Sequence, residues 1–138
     1  MTSTPLSDEQ AIAEVLTRYA TGIDRRDWGL LRSCFTGDVH ADYGDTGVWD
    51  GGDAITDAMV HLHADMGHTL HRLTNMTIAV DGDAATARTY VDARLLTADG
   101  THRIEAAGFY DDQLVPAADG WRIARRVFTM IDTRVSAV

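Results

Sequence analysis

Three Asp-Gly pairs in the second half of the chain constrain the fold more than any other feature. They lie at 81–82, 99–100 and 119–120, between segments rich in apolar and β-branched residues. An Asp-Gly pair in this setting is a strong short-range signal for a β-hairpin. The pairs therefore predict four long antiparallel strands in a meander, at about 68–80, 84–97, 101–115 and 121–134.

The first half of the chain carries a helical pattern instead. Ser7 and Gln10 have the spacing of a capping box, and an apolar stripe follows them at helical intervals: Ile12, Val15, Leu16, Tyr19 and Ile23. This predicts a helix of about four turns that ends near residues 22–24. A second helix is expected to run as far as 37–38, with one apolar side formed by Trp28, Leu31 and Phe35.

A third helix is expected after a short strand pair. Residues 38–50 predict two short strands broken at 44–45, and Asp53 is the candidate N-cap of the helix that follows. That helix is expected to end at Gly67, with an apolar face formed by Ile55, Met59, Leu62 and Met66. Together the elements predict an α+β fold: a curved four-stranded antiparallel meander plus short N-terminal strands, covered by three helices as a cone-shaped α+β barrel. The interior of such a cone is a natural small-molecule pocket.

Composition limits the partners of this fold. The length of 138 residues suits a single domain over 1–138. The formal net charge of −9 repels phosphate backbones and anionic lipid, so we expect no nucleic-acid and no membrane partner. The start of the chain has neither the basic nor the apolar stretch of a signal peptide, and Cys34, the only cysteine, excludes an internal disulfide. A cytoplasmic protein is expected.

Four segments occur in an order that is typical of one superfamily. They are 19–35 (YATGIDRRDWGLLRSCF), 38–43 (DVHADY), 71–75 (HRLTN) and 120–126 (GWRIARR). With them the chain resembles the SnoaL-like branch of the nuclear transport factor 2-like superfamily, over roughly residues 8–133. The resemblance implies an α+β cone. The superfamily includes dehydratases, isomerases, polyketide cyclases, dehydrochlorinases and non-enzymes, so the reaction has to be argued from the site.

The pattern is most similar to the group that contains scytalone dehydratase and hexachlorocyclohexane dehydrochlorinase. Members of that group use a His–Asp dyad to remove a proton, and the matching residues here are His71 and Asp24. Arg126 matches an Arg of the dehydrochlorinase, whereas Tyr19 stands where that enzyme has Lys. A Tyr there suits the polarisation of a hydroxyl or carbonyl. The resemblance thus implies catalytic roles for His71, Asp24 and Tyr19.

The chemistry of these residue types agrees with that implication. Imidazole is the side chain whose ordinary pKa lies nearest neutrality, and a carboxylate on its other ring nitrogen holds the tautomer that can accept a proton. Asp27, three residues after Asp24, is a rival carboxylate, which we assign to capping the second helix. The alternative is that His71 and Asp24 have only structural roles.

Aromatic and methionine side chains are expected to line part of the pocket as well as the core. Tyr43 also carries a hydroxyl that can donate to a substrate oxygen. Simple strand alternation places Arg126 on one face with Ala124, Phe128 and Met130. Arg126 is then either an anion or carbonyl clamp near the dyad or part of a buried ion pair. The expected substrate-binding residues are Tyr43, Trp28, Trp49, Met59, His63, Arg126 and Phe128.

These residues predict a lyase or isomerase of dehydratase type that removes a proton from a small, apolar, oxygenated molecule without a cofactor. The histidines within 61–71 lack the spacing of a metal site, so no metal is expected. Two other functions stay open: a non-catalytic small-ligand-binding module, and a polyketide-type cyclase with Asp24 as acid/base. The mixed outer face of the 84–97 strand suits a symmetric partner, so we expect a homodimer or higher homo-oligomer.

Overall fold

A curved six-stranded sheet carries the fold in the computed structural model, which describes residues 4–138. Its strands are β1 (Phe35–Asp42), β2 (Val48–Asp50), β3 (Met66–Asp81), β4 (Ala84–Thr97), β5 (His102–Ala117) and β6 (Gly120–Ala137). Their order is β2-β1-β6-β5-β4-β3, with β1 parallel to β6 and the other neighbours antiparallel. The predicted α+β class and the meander over β3–β6 are confirmed.

Three helices cover the concave side of this sheet. They are α1 (Asp8–Asp24), α2 (Trp28–Arg32) and α3 (Gly52–Leu62), and a 3₁₀ turn spans Gly44–Thr46. The predicted capping box of α1 is present, and its apolar stripe is buried. Asp27 caps α2, as expected, by accepting a 3.1 Å hydrogen bond from the backbone N–H of Leu30. No helix within residues 4–138 is long and apolar enough to cross a membrane.

Three predicted helix boundaries are wrong: the end of the second helix, and the start and the end of the third. The second helix ends at Arg32, and Phe35 begins β1, because that strand pairs in parallel with β6 and places Phe35 opposite Ile123. Such a pairing between distant segments overrides a local helical pattern. In α3 the N-cap is Gly51, and Asp53 instead accepts a 2.9 Å hydrogen bond from Arg32 Nε.

Met66 marks the third wrong boundary, at the end of α3. It was expected on the apolar face of the third helix, but α3 ends at Leu62 and Met66 is the first residue of β3. Met66 pairs with Thr97 of β4 in the antiparallel ladder. β3 therefore begins one residue before Gly67, the predicted end of the helix. The strand is long enough to pass beneath α1.

The hairpin turns fall at the predicted Asp-Gly pairs. Gly82 and Gly100 adopt positive φ values of 61° and 73°, a conformation that glycine reaches without steric cost. Along β4 the smaller side chains face inward and are buried, whereas the alternating polar and charged side chains are exposed. The predicted assignment of the two faces of β4 is thus confirmed. The homo-oligomer expected to form through the outer face stays a prediction.

A β-bulge in β6 corrects the predicted faces of that strand. Ile123 pairs with Leu114 and Arg125 pairs with Gln113, so Ala124 is an extra residue in the ladder. Simple strand alternation predicts that Arg126 points to the other face of the sheet from Trp121 and Ile123, and this is wrong. The bulge reverses the alternation, and all three side chains are buried on the core side of the sheet.

Candidate active site

The end of α1 and the start of β3 bring Asp24 and His71 together. Asp24 is the last residue of α1, and its Oδ1 lies 2.7 Å from His71 Nδ1. Its Oδ2 accepts a 2.8 Å hydrogen bond from the backbone N–H of His71. Because the carboxylate accepts at Nδ1, the neutral imidazole carries its proton there. Nε2 is then left with a lone pair that can accept a proton.

The carboxylate of Asp24 is held in its ionised form. Burial alone would raise the pKa of Asp24, but hydrogen bonds from the side chain and backbone of His71, the charge of His71 and a bond from Thr69 together lower it. The hydroxyl of Thr69 donates to Asp24 Oδ1 at 2.9 Å. An ionised carboxylate here stabilises the imidazolium that forms when Nε2 takes a proton.

His71 lines a cavity of about 380 Å³ whose walls come from α1, α3 and the concave face of β3–β6. Of the residues predicted for the site, six line it: Tyr19, Tyr43, Met59, His63, His71 and Phe128. Most of the remaining wall is apolar, formed by side chains such as Ile23, Val91, Leu95, Ile104 and Met130. Asp24 lies behind His71 and does not line the cavity. The site is therefore a largely apolar space with a few convergent polar groups.

A second imidazole, that of His63, faces the same cavity. His63 Nδ1 lies 2.8 Å from the backbone carbonyl oxygen of Met59, and its ring centroid is 5.8 Å from that of His71. A carbonyl oxygen only accepts, so Nδ1 carries the proton and Nε2 has the lone pair. Burial lowers the pKa of His63. A neutral His63 can therefore accept a hydrogen bond from a hydroxyl in the cavity.

The lowered pKa of His63 predicts a pH-dependent stability. The unfolded chain takes up a proton at this imidazole near its ordinary pKa of about 6.5, whereas the folded chain does so only at lower pH. The stabilisation that the neutral imidazole of His63 contributes is therefore complete above about pH 6.5. It is lost as the pH falls through the pKa of His63 in the folded chain. We expect His63→Gln to flatten the fall in Tm between about pH 7 and pH 5. His61→Gln, at an exposed position of α3, is the control; equal slopes for the two variants would contradict the prediction.

Two tyrosine hydroxyls meet on another wall of the cavity. Tyr19 Oη and Tyr43 Oη are 2.7 Å apart, and Arg126 Nη1 donates a long hydrogen bond of 3.5 Å to Tyr43 Oη. When Tyr19 donates to Tyr43, the oxygen of Tyr43 accepts two hydrogen bonds and its own proton stays available to a ligand. Burial raises the pKa of both tyrosines, so both hydroxyls are protonated donors at neutral pH.

Residues 4–127 match the SnoaL-like domain. The chain belongs to the SnoaL-like domain family. The chain is similar in sequence to an uncharacterized protein of Mycobacterium tuberculosis. The two are 33% identical over 126 residues, which cover 90% of this chain and 86% of that protein.

Solved structures share the SnoaL-like fold. A candidate scytalone dehydratase from Novosphingobium aromaticivorans has a TM-score of 0.85 at 22% identity, over 92% of this chain and 86% of that one. A hexachlorocyclohexane dehydrochlorinase from Novosphingobium barchaimii has a TM-score of 0.81 at 18% identity, over 94% and 89%. At these identities the likeness shows the fold alone. The domain match confirms the predicted family, and these structures confirm the predicted cone-shaped fold.

Arg126 of this SnoaL-like domain is part of a buried ion pair. Its Nε and Nη2 donate to Asp112 Oδ1 and Oδ2 at 2.8 and 2.9 Å, and the side chains are 1% and 0% exposed. The guanidinium also stacks 3.9 Å from the ring centroid of Tyr110 and 4.3 Å from that of Tyr19. Burial alone would lower the pKa of Arg126, but the Asp112 carboxylate outweighs it and the pKa lies well above its ordinary value.

Three predicted substrate-binding residues do not line the cavity of the SnoaL-like domain. Arg126 is turned toward Asp112, so of its two expected roles the ion pair is the one observed. Trp28 is half-buried with its ring 6.3 Å from that of His63, and Trp49 packs edge-on against Tyr43 at 5.5 Å. Both tryptophans support side chains that do face the cavity. Within residues 4–138, no three His, Cys, Asp or Glu side chains are grouped as a metal site.

Three residues of the site escaped the sequence analysis: Thr69, Tyr110 and Asp112. Tyr110 and Asp112 lie at every second position of β5 with Leu114, so all three share its buried face. An acid on such a face is a signal for a buried partner. Thr69 lies two residues before His71, so strand alternation places both on the inner face of β3. That spacing was available in the sequence.

Proposed function

We propose that this protein is a cofactor-independent lyase or isomerase of dehydratase type that acts on a small, largely apolar, oxygenated molecule. The observation that carries the proposal is the contact of 2.7 Å between His71 Nδ1 and Asp24 Oδ1, behind a ring that lines an apolar cavity. A base with a free Nε2, an ionised carboxylate behind it and a largely apolar cavity in front is an arrangement suited to removing a proton from carbon.

His71 is the general base in this proposal. Its Nε2 takes a proton from a carbon next to a carbonyl or to a carbon that bears a hydroxyl. Asp24 keeps the imidazole in the required tautomer and stabilises the imidazolium. The electron pair of the broken C–H bond forms a double bond or an enolate. The imidazolium then returns its proton to the departing hydroxyl, which leaves as water in a lyase, or to another carbon in an isomerase.

Tyr43 is the proposed donor to the substrate oxygen. Negative charge develops on that oxygen as the proton leaves, and a preorganised donor in an apolar site stabilises the charge. When Tyr43 accepts hydrogen bonds from Tyr19 and Arg126, its own proton becomes a better donor. Tyr19 thus acts through Tyr43, which refines the catalytic role implied for Tyr19 by the resemblance.

The cavity limits the substrate to a compact neutral molecule. Its volume of about 380 Å³ lies near the small end of ligand pockets. Arg126, which contacts Tyr43 of the cavity wall, is neutralised by Asp112, and no arginine or carboxylate is among the lining residues. A charged substrate would have no counter-ion among the lining residues and would lose its hydration. A hydroxyketone or a hydroxylated ring is the expected class.

The geometry also bears on the two other candidate functions. A cyclase with Asp24 as acid/base needs that carboxylate to reach the substrate, but both its oxygens are occupied by donors and it lies behind His71. A pure binding module needs no ionised carboxylate behind a histidine. The proton-abstraction proposal gives roles to the Asp24–His71 pair and to the hydroxyls of Tyr19 and Tyr43.

The test is a panel of neutral hydroxyketones and hydroxylated cyclic compounds, incubated with the protein in D₂O and followed by ¹H NMR. We expect at least one compound to lose a C–H signal to exchange or elimination, and His71→Gln to abolish that change. Binding to the cavity with no change in any compound would favour a binding module and overturn the proposal. Turnover that survives in His71→Gln but is lost in Asp24→Asn would favour the cyclase.

A further inference from the structure

Arg26, two residues after Asp24, adopts a backbone conformation that costs free energy. Its φ is +56°, in the left-handed region that non-glycine residues rarely occupy. The guanidinium offsets this cost with three hydrogen bonds: Nη1 donates to Ile23 O at 2.7 Å and to Thr69 Oγ1 at 2.9 Å, and Nη2 donates to Gly67 O at 2.6 Å. Arg26 thereby ties the end of α1 to the start of β3.

Thr69 connects Arg26 to Asp24. Its side chain is buried, and its hydroxyl lies 2.9 Å from Arg26 Nη1 on one side and 2.9 Å from Asp24 Oδ1 on the other. A guanidinium only donates, so the Thr69 oxygen must accept from Arg26. The hydroxyl proton is then directed at Asp24. The direction of this hydrogen bond is set by the guanidinium of Arg26, which has only donors.

We propose that Arg26 and Thr69 are a positioning pair for Asp24 and His71. The pair fixes the rotamer of the Asp24 carboxylate through Oδ1, while the backbone N–H of His71 fixes Oδ2. It also draws negative charge toward Oδ1, the oxygen that faces the imidazole, and so keeps the carboxylate ionised. Neither residue lines the cavity, so both act through Asp24. The inference rests on the proposed function for its catalytic consequence but not for its structural one.

The test compares Thr69→Val, Thr69→Ser and Arg26→Gly. Valine keeps the shape and strand preference of threonine without the hydroxyl, serine keeps the hydroxyl, and glycine tolerates the φ of residue 26 without the guanidinium. We expect the pKa of Asp24, followed by ¹³C NMR of its carboxyl carbon, to rise in Thr69→Val and in Arg26→Gly. Thr69→Ser should restore most of the native value. Arg25→Gln removes the same charge from an exposed neighbour and is the control.

A substrate found in the NMR panel adds a second readout. Thr69→Val and Arg26→Gly should lower kcat by about 10–100-fold, by analogy with losing a partner that orients a metal-ligating side chain, and leave KM nearly unchanged. A lower Tm with an unchanged Asp24 pKa and an unchanged kcat in both variants would overturn the positioning role. If instead the Asp24 pKa rises as expected while His71→Gln keeps full activity, the positioning pair stands and the proposed function fails.

Discussion

Replacing His71 by Gln is expected to lower kcat/KM by about 10²–10⁴-fold, the usual contribution of a positioned general base. Glutamine has a similar reach and can still donate to Asp24, so the fold should be retained. Asp24→Asn should also cause a large loss, because an amide no longer enforces the tautomer of the imidazole. The losses should be far from additive in the double variant, since the two residues act as one unit.

The control for this series is His68→Gln. His68 lies on the same strand, three residues earlier, but its side chain is exposed on the outer face. The substitution is the same, and we expect turnover to be unaffected. Tm and activity are measured on the same preparations. Loss of Tm without loss of kcat/KM per folded molecule in His71→Gln would show that the Asp24–His71 contact is structural only.

The sheet could be predicted from the sequence because its signals are local. Each hairpin of β3–β6 depends on a turn whose residue types are set within a few positions, and the alternation along β4 follows from the same strand. The N-terminal helix could be predicted equally well, since its capping box and apolar stripe lie within one segment. Elements that depend on pairing between distant segments could not be predicted in this way. Phe35 fits the second helix by spacing, and only its pairing with Ile123 of β6 makes it a strand residue.

The proximity of Asp24 and His71 had a different origin. They are 47 residues apart, and no spacing rule brings the end of a helix to one position of a strand. The pair was inferred from the resemblance to the SnoaL-like family, and the contacts of Arg26 and Thr69 now give the local reason for it. The backbone conformation of Arg26 was not predictable, because nothing in the residue type favours a positive φ.

Asp112 illustrates the limit of local patterns. A regular hairpin continued from the observed pairing of Ala117 with Gly120 would place Asp112 opposite Arg125. The bulge at Ala124 shifts the register by one residue, so that Asp112 pairs with Arg126 inside the fold. Bulges depend on how a strand bends over the rest of the molecule. The buried ion pair therefore follows from the bend of the sheet.

That ion pair leads to the second large effect. Arg126→Met is expected to lower the free energy of unfolding by about 3–5 kcal/mol, because it leaves the Asp112 carboxylate buried without its partner. The stacking of Arg126 on Tyr19 and Tyr110 is lost as well. The double variant Arg126→Met/Asp112→Leu should recover most of the loss, since a buried pair replaced by apolar side chains of similar volume is often close to neutral. Urea unfolding followed by tryptophan fluorescence measures all three proteins.

A matched control exists on the outer face of the same sheet. Arg88 makes the same two-bond contact with Asp111, at 2.7 and 2.9 Å, but both side chains are exposed. Arg88→Met should therefore change the stability little, because water solvates the carboxylate that remains. If Arg126→Met cost no more than Arg88→Met, or if the double variant were no more stable than Arg126→Met, the buried pair would not have the role assigned to it.

The pH dependence of Arg126→Met separates loss of charge pairing from loss of packing. Burial raises the pKa of Asp112, and Arg126 opposes that rise. Without Arg126 the pKa should rise further, so the folded variant binds a proton that the unfolded chain releases near pH 4. A raised carboxyl pKa gives stability at low pH that is lost as the pH increases. The destabilisation should thus be smaller at about pH 5 than at about pH 8. A loss that is independent of pH would assign it to the missing packing of Arg126 alone.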